Sequence, residues 1–306
     1  THDIIHGDSG GVTATAARPP ARREVAAVAA LMSDSRHRPV RSMLSPTREP
    51  LAVSMNAPRP DDSVKDYYDD WTGRYIESFG DIFQAARARC DDDLIAHVVR
   101  MAGMRGGMRV LDAGCGVCGP SIRIARIVDV AIDAVTISPV QAELARERVR
   151  EAGLSDRITV HLGDFAALPT LFEPDRFDRI FFLESLCHAR DLDEVTRGCR
   201  EVLRPGGQVY VKDFYRKPYE DPQQRAWSEV VMERVEKEFV LSVRDISEVC
   251  DALARAGLYR TYCTKLGFDV SFTVSERFAA DNRIDVYVGG QPINWGDWYD
   301  VAFHKR

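Results

Sequence analysis

The sequence predicts an α/β fold, a doubly wound and mostly parallel seven-stranded sheet with helices on both faces. Two observations support this prediction. Short apolar runs alternate with longer helical segments along most of the chain, as they do when each strand is followed by a crossover helix. Some runs have consecutive apolar residues, as at Ile180, Phe181 and Phe182, which is typical of a parallel strand buried on both faces. An N-terminal helical lid and an inserted helical cap complete the predicted architecture.

Length and composition limit the class of protein. The 306 residues are 45% hydrophobic, which is enough for one substantial core. The net charge of −6 argues against a nucleic-acid partner, because such domains usually carry a basic face. Seven cysteines, an odd number, indicate a reducing and therefore cytoplasmic location. No run approaches the roughly 20 apolar residues that a membrane span requires. The sequence leaves open whether the chain forms a homo-oligomer.

The N-terminal part of the chain divides into an arm and a helical segment. Residues 1–60 are rich in Ala, Pro, Arg and Ser without a sustained hydrophobic period, so we expect a disordered or loosely packed arm. Residues 61–306 form the predicted catalytic domain. Its first part, 61–100, is helical, with Ser63 as the predicted N-cap. Aromatic residues recur there, mostly three or four positions apart, at Tyr67, Tyr68, Trp71, Tyr75, Phe79 and Phe83. This face either packs on the core or forms a lid over a ligand.

The loop after the first predicted strand carries the strongest functional signal. Strand residues Val110 and Leu111 precede a D-x-G-x-G-x-x-G pattern formed by Asp112, Gly114, Gly116 and Gly119. The glycines allow a sharp turn, a close approach of a ligand and close packing of the next helix. The same spacing marks dinucleotide sites. A carboxylate at Asp112, however, would repel a pyrophosphate and suits a ligand with an ammonium or sulfonium group, and S-adenosylmethionine has both.

The ends of the next two predicted strands supply further contacts for this cofactor. The second strand, Val128–Ile137, has no acid where a dinucleotide-binding protein would need one for the ribose. The third strand, Ile158–Leu162, is followed by an amide and a carboxylate that can meet an adenine. The residues predicted to bind the cofactor here are Thr136, Gln141, Asp164 and Phe165.

The fourth predicted strand, Phe177–Leu183, delivers the segment Glu-Ser-Leu-Cys-His to the carboxyl edge of the sheet, where ligands of α/β proteins bind. Glu184 and His188 are therefore candidate catalytic residues. Alternatively, Glu184 caps the next helix and His188 satisfies backbone groups. The fifth strand is predicted over Gln208–Asp213, and residues 214–242 then interrupt the alternation and predict a substrate cap.

The C-terminal part of the chain completes the predicted sheet. A helix is predicted over Ile246–Ala256 and a strand over Leu258–Leu266. A further helix is predicted over Phe272–Ala280 and a final strand over Tyr299–His304.

With these motifs in place, residues 63–306 resemble class I S-adenosylmethionine-dependent methyltransferases. The resemblance rests on the glycine loop, the Gly-Asp after strand three and the Leu-Arg-Pro-Gly-Gly turn before strand five. The Val-Thr-Ile-Ser-x-x-Gln of strand two, the segment Tyr67–Arg87 and the Leu-Glu-Ser-Leu-Cys-His of strand four are similar to the sterol and prenyl diphosphate C-methyltransferases. The Glu-Ser-Leu-x-His motif with Asp213 is also similar to sugar O-methyltransferases of antibiotic pathways.

The first resemblance implies C-methylation of an isoprenoid alkene, above all a prenyl diphosphate, through a carbocation that is then deprotonated. Aromatic rings would stabilise the cation, and Glu184 would accept the proton with His188 as its partner. The catalytic residues implied are Glu184, His188, Tyr67 and Tyr68. The substrate-binding residues implied are Trp71, Phe182, Arg87, Lys212 and Arg216. No metal ligands are assigned, although a substrate diphosphate could bring Mg²⁺ with it.

The second resemblance implies O-methylation of a hydroxyl on a sugar or polyketide-type natural product. In this alternative His188 is the general base, and Asp213 orients it or binds a metal. The two hypotheses make opposite predictions for substitution, because only alkene methylation requires the Glu184 carboxylate as its main catalytic group.

Overall fold

The computed structural model describes residues 62–86, 88, 90–266, 287–288 and 291–306. Three sequence predictions therefore lie outside the described residues, namely the N-terminal arm at 1–60, the substrate contact of Arg87 and the helix Phe272–Ala280.

The described residues form alternating helices and strands. The helices are α1 (Asp62–Phe79), α2 (Asp91–Met101), α3 (Gly119–Ile127), α4 (Pro139–Glu151), α5 (Leu168–Leu171), α6 (Leu192–Val202), α7 (Pro222–Phe239) and α8 (Ile246–Arg255). The strands are β1 (Arg109–Ala113), β2 (Ala131–Thr136), β3 (Ile158–Leu162), β4 (Phe177–Leu183), β5 (Leu203–Arg216), β6 (Tyr259–Lys265), β7 (Tyr287–Val288), β8 (Gln291–Pro292) and β9 (Gly296–His304). Single 3₁₀ turns follow β3 at Phe165–Ala167 and β4 at Leu186–His188.

Seven strands form one sheet in the order β3-β2-β1-β4-β5-β9-β6. Strands β1 to β5 run parallel to one another, whereas β9 is antiparallel to both β5 and β6. The predicted seven-stranded, mostly parallel α/β sheet is confirmed. Because β1 has β2 on one side and β4 on the other, the chain order reverses beside β1. The loops after β1 and β4 therefore diverge and leave a crevice at the carboxyl edge of the sheet.

Core side chains pack on both faces of the sheet, which explains why β4 is apolar over most of its length. Ile180 and Phe182 point to the face covered by α6 and α8. Phe181 and Leu183 point to the opposite face, which is covered by α2, α3 and α4. Period-2 alternation therefore places neighbouring β4 side chains in two separate core clusters.

Two predicted elements differ from the observed ones. The helical pattern predicted over Ser63–Arg100 is interrupted, because α1 ends at Phe79 and Gly80 follows in the left-handed conformation at φ +73°. Ser63 is not the N-cap, since α1 already includes Asp62. Strand β5 continues three residues past its predicted end, because β9 pairs with it as far as Arg216. The segment after β5 therefore begins later than predicted.

A buried polar network fastens α2 to the sheet. Asp300 on β9 accepts a hydrogen bond from the hydroxyl of Tyr210 on β5 at 2.6 Å, and its other carboxylate oxygen lies 2.8 Å from Nε2 of His97 on α2. Arg100 donates to Nδ1 of the same imidazole at 3.1 Å. Nε2 of His97 is therefore the nitrogen that donates its proton to Asp300. Since Tyr210, Asp300 and His97 are all buried, each depends on the others for hydrogen bonding.

Replacing the shared acceptor should therefore cost more than replacing one donor. We expect Asp300→Ala to lower the free energy of unfolding by about 3 kcal/mol, because two buried donors lose their partner. Tyr210→Phe should cost about 1 kcal/mol. Urea denaturation of both variants and of the double variant is the measurement. The double variant should be no less stable than Asp300→Ala, and additive losses would contradict the network.

Candidate active site

A cavity of about 160 Å³ lies at the carboxyl ends of β1 to β4. Its wall collects residues that are far apart in the sequence and that follow different strands or belong to α1. The sequence-predicted residues that line it are Tyr68, Asp112, Gly114, Gly116, Thr136, Gln141, Asp164, Phe165, Glu184 and His188. The structure thus brings most of the predicted cofactor-binding residues together with both candidate catalytic side chains.

The glycine loop forms one wall of this cavity. Gly114 has φ +105°, and a Cβ there would lie 2.5 Å from the Cβ of Ser185, so no larger residue fits. Gly119 has a different role from the one predicted, because it does not line the cavity. A Cβ at Gly119 would lie 1.8 Å from the carbonyl oxygen of Asp81. Gly119 therefore lets the chain after α1 pass directly over the start of α3.

Asp112 lies at the end of β1 with only 2% of its surface exposed. Its carboxylate accepts a hydrogen bond from the Ser121 hydroxyl at 2.6 Å. Burial raises the pKa of Asp112 to about 7, although the Ser121 hydrogen bond opposes the shift. A cationic group in the cavity would favour the ionised form of this carboxyl. The site therefore fits a ligand that carries an ammonium or sulfonium group.

The end of β2 holds an unpaired hydrogen-bond donor. Thr136 donates its hydroxyl proton to Oε1 of Gln141 at 2.8 Å. This bond fixes the side-chain amide and leaves Nε2 of Gln141 buried without a partner among the described residues. A buried amide donor without an acceptor is costly, and a ligand hydroxyl would satisfy it. The glycine wall, Asp112 and Gln141 together fit the amino acid and ribose parts of S-adenosylmethionine.

The segment after β3 forms another part of the cavity wall. Asp164 caps the 3₁₀ turn by accepting a hydrogen bond from the backbone N–H of Ala166 at 2.8 Å. Phe165 packs edge-on against Phe182, with ring centroids 5.6 Å apart. Because this contact anchors Phe165 on the core, one face of the cavity is a fixed aromatic surface.

Glu184 is held by three donors. It accepts hydrogen bonds from the backbone N–H groups of Ala85 at 2.6 Å and Ala86 at 3.1 Å, and from Nζ of Lys212 at 2.7 Å. Its backbone is left-handed at φ +50°, a strained conformation for a residue other than glycine. These bonds hold the strained residue in place and fasten the 81–86 segment across the cavity.

Lys212 corrects a sequence prediction. Its side chain is completely buried, and Nζ donates to Glu184 and to Oε1 of Gln84 at 2.9 Å. The ammonium group is therefore part of the internal structure, and the prediction that Lys212 binds a substrate anion is wrong. Position in the sequence placed Lys212 correctly on β5, beside the end of β4, but could not show that its charge is neutralised by Glu184.

His188 is held in one tautomer. Its Nδ1 lies 3.0 Å from the carbonyl oxygen of Val240, which can only accept, so Nδ1 carries the proton. Nε2 therefore accepts the hydrogen bond from the hydroxyl of Tyr68, at 2.8 Å. Burial lowers the pKa of His188 to about 4, and burial raises the pKa of Tyr68 well above its usual value. At neutral pH the imidazole is uncharged, with its lone pair at the cavity. The partners of His188 are Tyr68 and Val240, and not Glu184 as predicted.

Several predicted substrate contacts lie away from the cavity. Tyr67 stacks on Trp71 with ring centroids 5.2 Å apart, and neither residue lines the cavity. Phe182 is 1% exposed and belongs to the core, because it points to the α6 and α8 face. Arg216 donates to the Val243 carbonyl at 2.9 Å and lies 3.5 Å from Glu236, also outside the cavity wall. The aromatic face of α1 thus packs largely on itself, and Tyr68 is its main contribution to the cavity.

Asp213 also differs from its predicted role. Its carboxylate accepts hydrogen bonds from the backbone N–H groups of Cys187 at 3.1 Å and Phe214 at 2.9 Å and does not contact His188. Burial, followed by the nearby charge of Glu184, raises the pKa of Asp213 to about 7. Asp213 therefore supports the backbone beside His188.

The sequence analysis missed the Val240 carbonyl and the backbone amides of residues 85 and 86, because main-chain contacts leave no residue signature in the sequence.

Two broader features concern the part of the chain that the structure describes. Within it, no group of three or more His, Cys, Asp or Glu side chains is arranged to hold a metal ion. None of its helices is both long and apolar enough to span a bilayer.

Comparison with known proteins agrees with this geometry. Residues 110–207 match the family described as a methyltransferase domain. A 27-O-demethylrifamycin SV methyltransferase of Amycolatopsis mediterranei is 37% identical over 164 residues, which are 52% of this chain and 58% of that protein. A sterol 24-C-methyltransferase of Gibberella zeae is 35% identical over 130 residues, 42% of this chain and 33% of that protein. The chain thus spans less than two thirds of the length of these relatives.

Solved structures show the same fold. The [4+2]-cyclase SpnF superposes with a TM-score of 0.66 at 22% identity, covering 80% of this chain and 95% of that one. A geranyl diphosphate methyltransferase superposes with a TM-score of 0.62 at 18% identity, covering 80% and 98%. The fold is that of the class I methyltransferases. Residues 110–207 match a methyltransferase domain, and parts of the chain are similar in sequence both to a sterol 24-C-methyltransferase and to a 27-O-demethylrifamycin SV methyltransferase.

The Glu184–Lys212 pair should be a major contributor to stability. We expect Glu184→Gln to lower the free energy of unfolding by about 3 kcal/mol, because the buried Lys212 ammonium loses its counter-charge. In Glu184→Gln/Lys212→Met this loss should be partly recovered. Guanidinium denaturation measures both variants.

The exposed pair Arg255–Asp193 provides the matched control for this experiment. Asp193→Asn should change stability by about 0.5 kcal/mol or less, because solvent screens the pair. Equal losses at Glu184 and Asp193 would contradict the proposed importance of burial.

Proposed function

We propose that the chain transfers a methyl group from S-adenosylmethionine to a hydroxyl oxygen of a polyketide-type or glycosylated natural product, with His188 as the general base. The observation that carries the proposal is the state of His188. Its Nδ1–H is fixed on the Val240 carbonyl, and its uncharged Nε2 faces the cavity. S-adenosylmethionine, when bound, supplies an electrophilic methyl group on a sulfonium.

His188 would act through Nε2. In the structure, Nε2 accepts a hydrogen bond from the Tyr68 hydroxyl at 2.8 Å. In the proposed reaction, the acceptor hydroxyl replaces the Tyr68 hydroxyl at Nε2 and donates its proton to the same lone pair. Proton removal raises the nucleophilicity of the acceptor oxygen. The Val240 carbonyl then stabilises the imidazolium through the Nδ1–H bond. Tyr68 remains a neutral phenol, because burial raises its pKa, and it can donate a hydrogen bond to the acceptor.

The charges of the cavity favour an acceptor without a diphosphate. Six carboxylic side chains line it, at Asp81, Asp112, Asp164, Glu184, Asp191 and Glu194. Among the described lining residues, Arg190 carries the single cationic side chain. Lys212 and Arg216 are engaged elsewhere. Lys212 neutralises Glu184, and Arg123 pairs with Asp81, so a diphosphate would mainly meet the negative charge of Asp164, Asp191 and Glu194. Similarity to the 27-O-demethylrifamycin SV methyltransferase also supports an O-methylated, polyketide-type acceptor.

C-methylation of an isoprenoid alkene, including a prenyl diphosphate with Mg²⁺, is the second candidate. It is supported by similarity to sterol 24-C-methyltransferases and by the fold shared with a geranyl diphosphate methyltransferase. The anionic wall and the rings of Tyr68 and Phe83 would favour a carbocation. In this mechanism Glu184, at the cavity wall, is the proton acceptor. Three donors already engage this carboxylate, so it would have to give up one of these hydrogen bonds to approach a substrate proton.

An acceptor panel tests the two candidates. The purified protein is incubated with S-adenosylmethionine and, separately, a hydroxylated macrolactone, a glycoside, geranyl diphosphate with Mg²⁺ and a sterol with a side-chain alkene. We expect mass spectrometry to show the added methyl group on a hydroxylated acceptor, with NMR placing it on oxygen. Methylation confined to the alkene carbons would overturn the proposal in favour of the second candidate.

Substitution at His188 tests its role. We expect His188→Asn to lower kcat by a factor of about 10² to 10⁴ without a similar change in the KM for S-adenosylmethionine, because the general base is lost. Glu184→Gln should retain more activity per folded molecule. The opposite order would instead support alkene methylation. Circular dichroism of both variants shows whether the folded fraction accounts for any loss.

The pH dependence follows from the lowered pKa of His188. A base works in its unprotonated form, so activity persists as the pH falls through the usual histidine range and is lost only near pH 4. We expect the acid limb of kcat near pH 4 in wild type, measured with saturating S-adenosylmethionine, which favours ionised Asp112, and over the range in which the protein remains folded. A limb between pH 6 and 7 would show that His188 is not the titrating base.

A further inference from the structure

We propose that Asp69 is a positioning residue that couples the cofactor half of the cavity to the acceptor half through helix α1. The inference rests on the proposed function. Asp69 lies on α1, outside the cavity wall, and the residue before it, Tyr68, reaches His188. One turn of a single helix therefore contacts both ends of the site.

Asp69 binds the start of α4. Its Oδ1 accepts a hydrogen bond from the hydroxyl of Ser138 at 2.5 Å, and the backbone N–H of Val140 also donates to it. Oδ2 accepts from Lys65 at 3.1 Å. Desolvation acts against ionisation, but the bonds from Ser138 and Lys65 outweigh it and lower the pKa of Asp69. An anion at a helix N-terminus is also favoured by the helix dipole.

Ser138 connects Asp69 to Thr136 and Gln141, which are predicted to bind the cofactor. Its side chain is completely buried, and its oxygen accepts the backbone N–H of Gln141 at 3.1 Å. Its own backbone N–H lies 3.3 Å from the hydroxyl of Thr136, which in turn binds Gln141. Gln141 carries the buried Nε2 that lacks a partner in the described part of the chain. Asp69 is thus two hydrogen bonds away from the donor that a ligand hydroxyl would satisfy.

Tyr68 makes the contact on the acceptor side. Its hydroxyl donates to Nε2 of His188 at 2.8 Å, and its ring lies edge-on to the imidazole with centroids 5.2 Å apart. Because α1 is a continuous helix, a movement that separates Asp69 from Ser138 also displaces Tyr68 from His188. The hydrogen bond between Ser138 and Asp69 therefore fixes the position of α1, and α1 in turn holds Tyr68 beside His188. Binding of the cofactor would in this way prepare the acceptor end.

Hydrogen–deuterium exchange tests the coupling without any acceptor. S-adenosylhomocysteine is the probe, and the peptides cover residues 62–79 and 131–151. In wild type we expect the probe to slow exchange in both peptides. In Asp69→Ala it should slow exchange only at 131–151. In a separate assay with an acceptor from the panel above, kcat should fall about tenfold, because Tyr68 is no longer held where it can donate a hydrogen bond to the acceptor. Protection of 62–79 that persists in Asp69→Ala would overturn the proposal.

Two further variants separate positioning from general effects. Asp69→Asn keeps an oxygen that accepts from Ser138, so protection of 62–79 and most of kcat should return. Asp70→Ala removes the same charge from the next, exposed position of α1 and should behave as wild type. Loss of protection in Asp70→Ala, or no recovery in Asp69→Asn, would contradict the inference. A thermal melt of each variant confirms that the exchange is measured on folded protein.

The outcomes distinguish this inference from the proposed function. If no hydroxylated acceptor is methylated but the exchange pattern holds, O-methylation is wrong and the coupling stands. If wild type methylates a hydroxyl and Asp69→Ala keeps the full protection and kcat, the coupling alone is wrong.

Discussion

The arrangement of the site depends on the buried ion pair between Glu184 and Lys212. Glu184 ends β4 in a strained conformation, and its carboxylate holds the 81–86 segment by two backbone N–H groups. Without a counter-charge, a carboxylate this deeply buried would be strongly unfavourable. Lys212 on the neighbouring strand supplies that charge from a completely buried position. The pair therefore allows the segment after α1 to cross the carboxyl edge of the sheet and enclose the cavity.

This constraint assigns different tasks to the two candidate catalytic side chains. Glu184 has three donors, so its lone pairs are largely engaged in holding the structure. His188 has its proton fixed on a backbone carbonyl, and on the cavity side its other ring nitrogen accepts a hydrogen bond from the Tyr68 hydroxyl. Two polar side chains that follow the same strand thus lie in different environments, one carboxylate held by three donors and one uncharged imidazole. The environment of each group, and not its residue type, makes this difference.

The sequence predicted the sheet well because burial on both faces leaves a local signal. The predicted limits of β3 and β4 coincide with the observed ones, and the glycine loop, Thr136, Gln141 and Asp164 all reach the cavity. Phe182 and Lys212 were placed on the correct strands but assigned to the substrate. The direction of the Phe182 side chain and the ion-pair partner of Lys212 both depend on packing between segments that are far apart in the sequence. The Val240 carbonyl could not be predicted at all, because any residue can offer a main-chain acceptor.

The acidic wall and the neutral imidazole suit one kind of reaction. In the proposed reaction, carboxylates such as Asp112 would favour a positively charged methyl donor. His188, inside the same wall, would become positively charged when it takes the proton of the acceptor hydroxyl. The carboxylates that favour the donor before transfer therefore favour the imidazolium after it. The same carboxylates would repel an anionic acceptor as it entered the cavity.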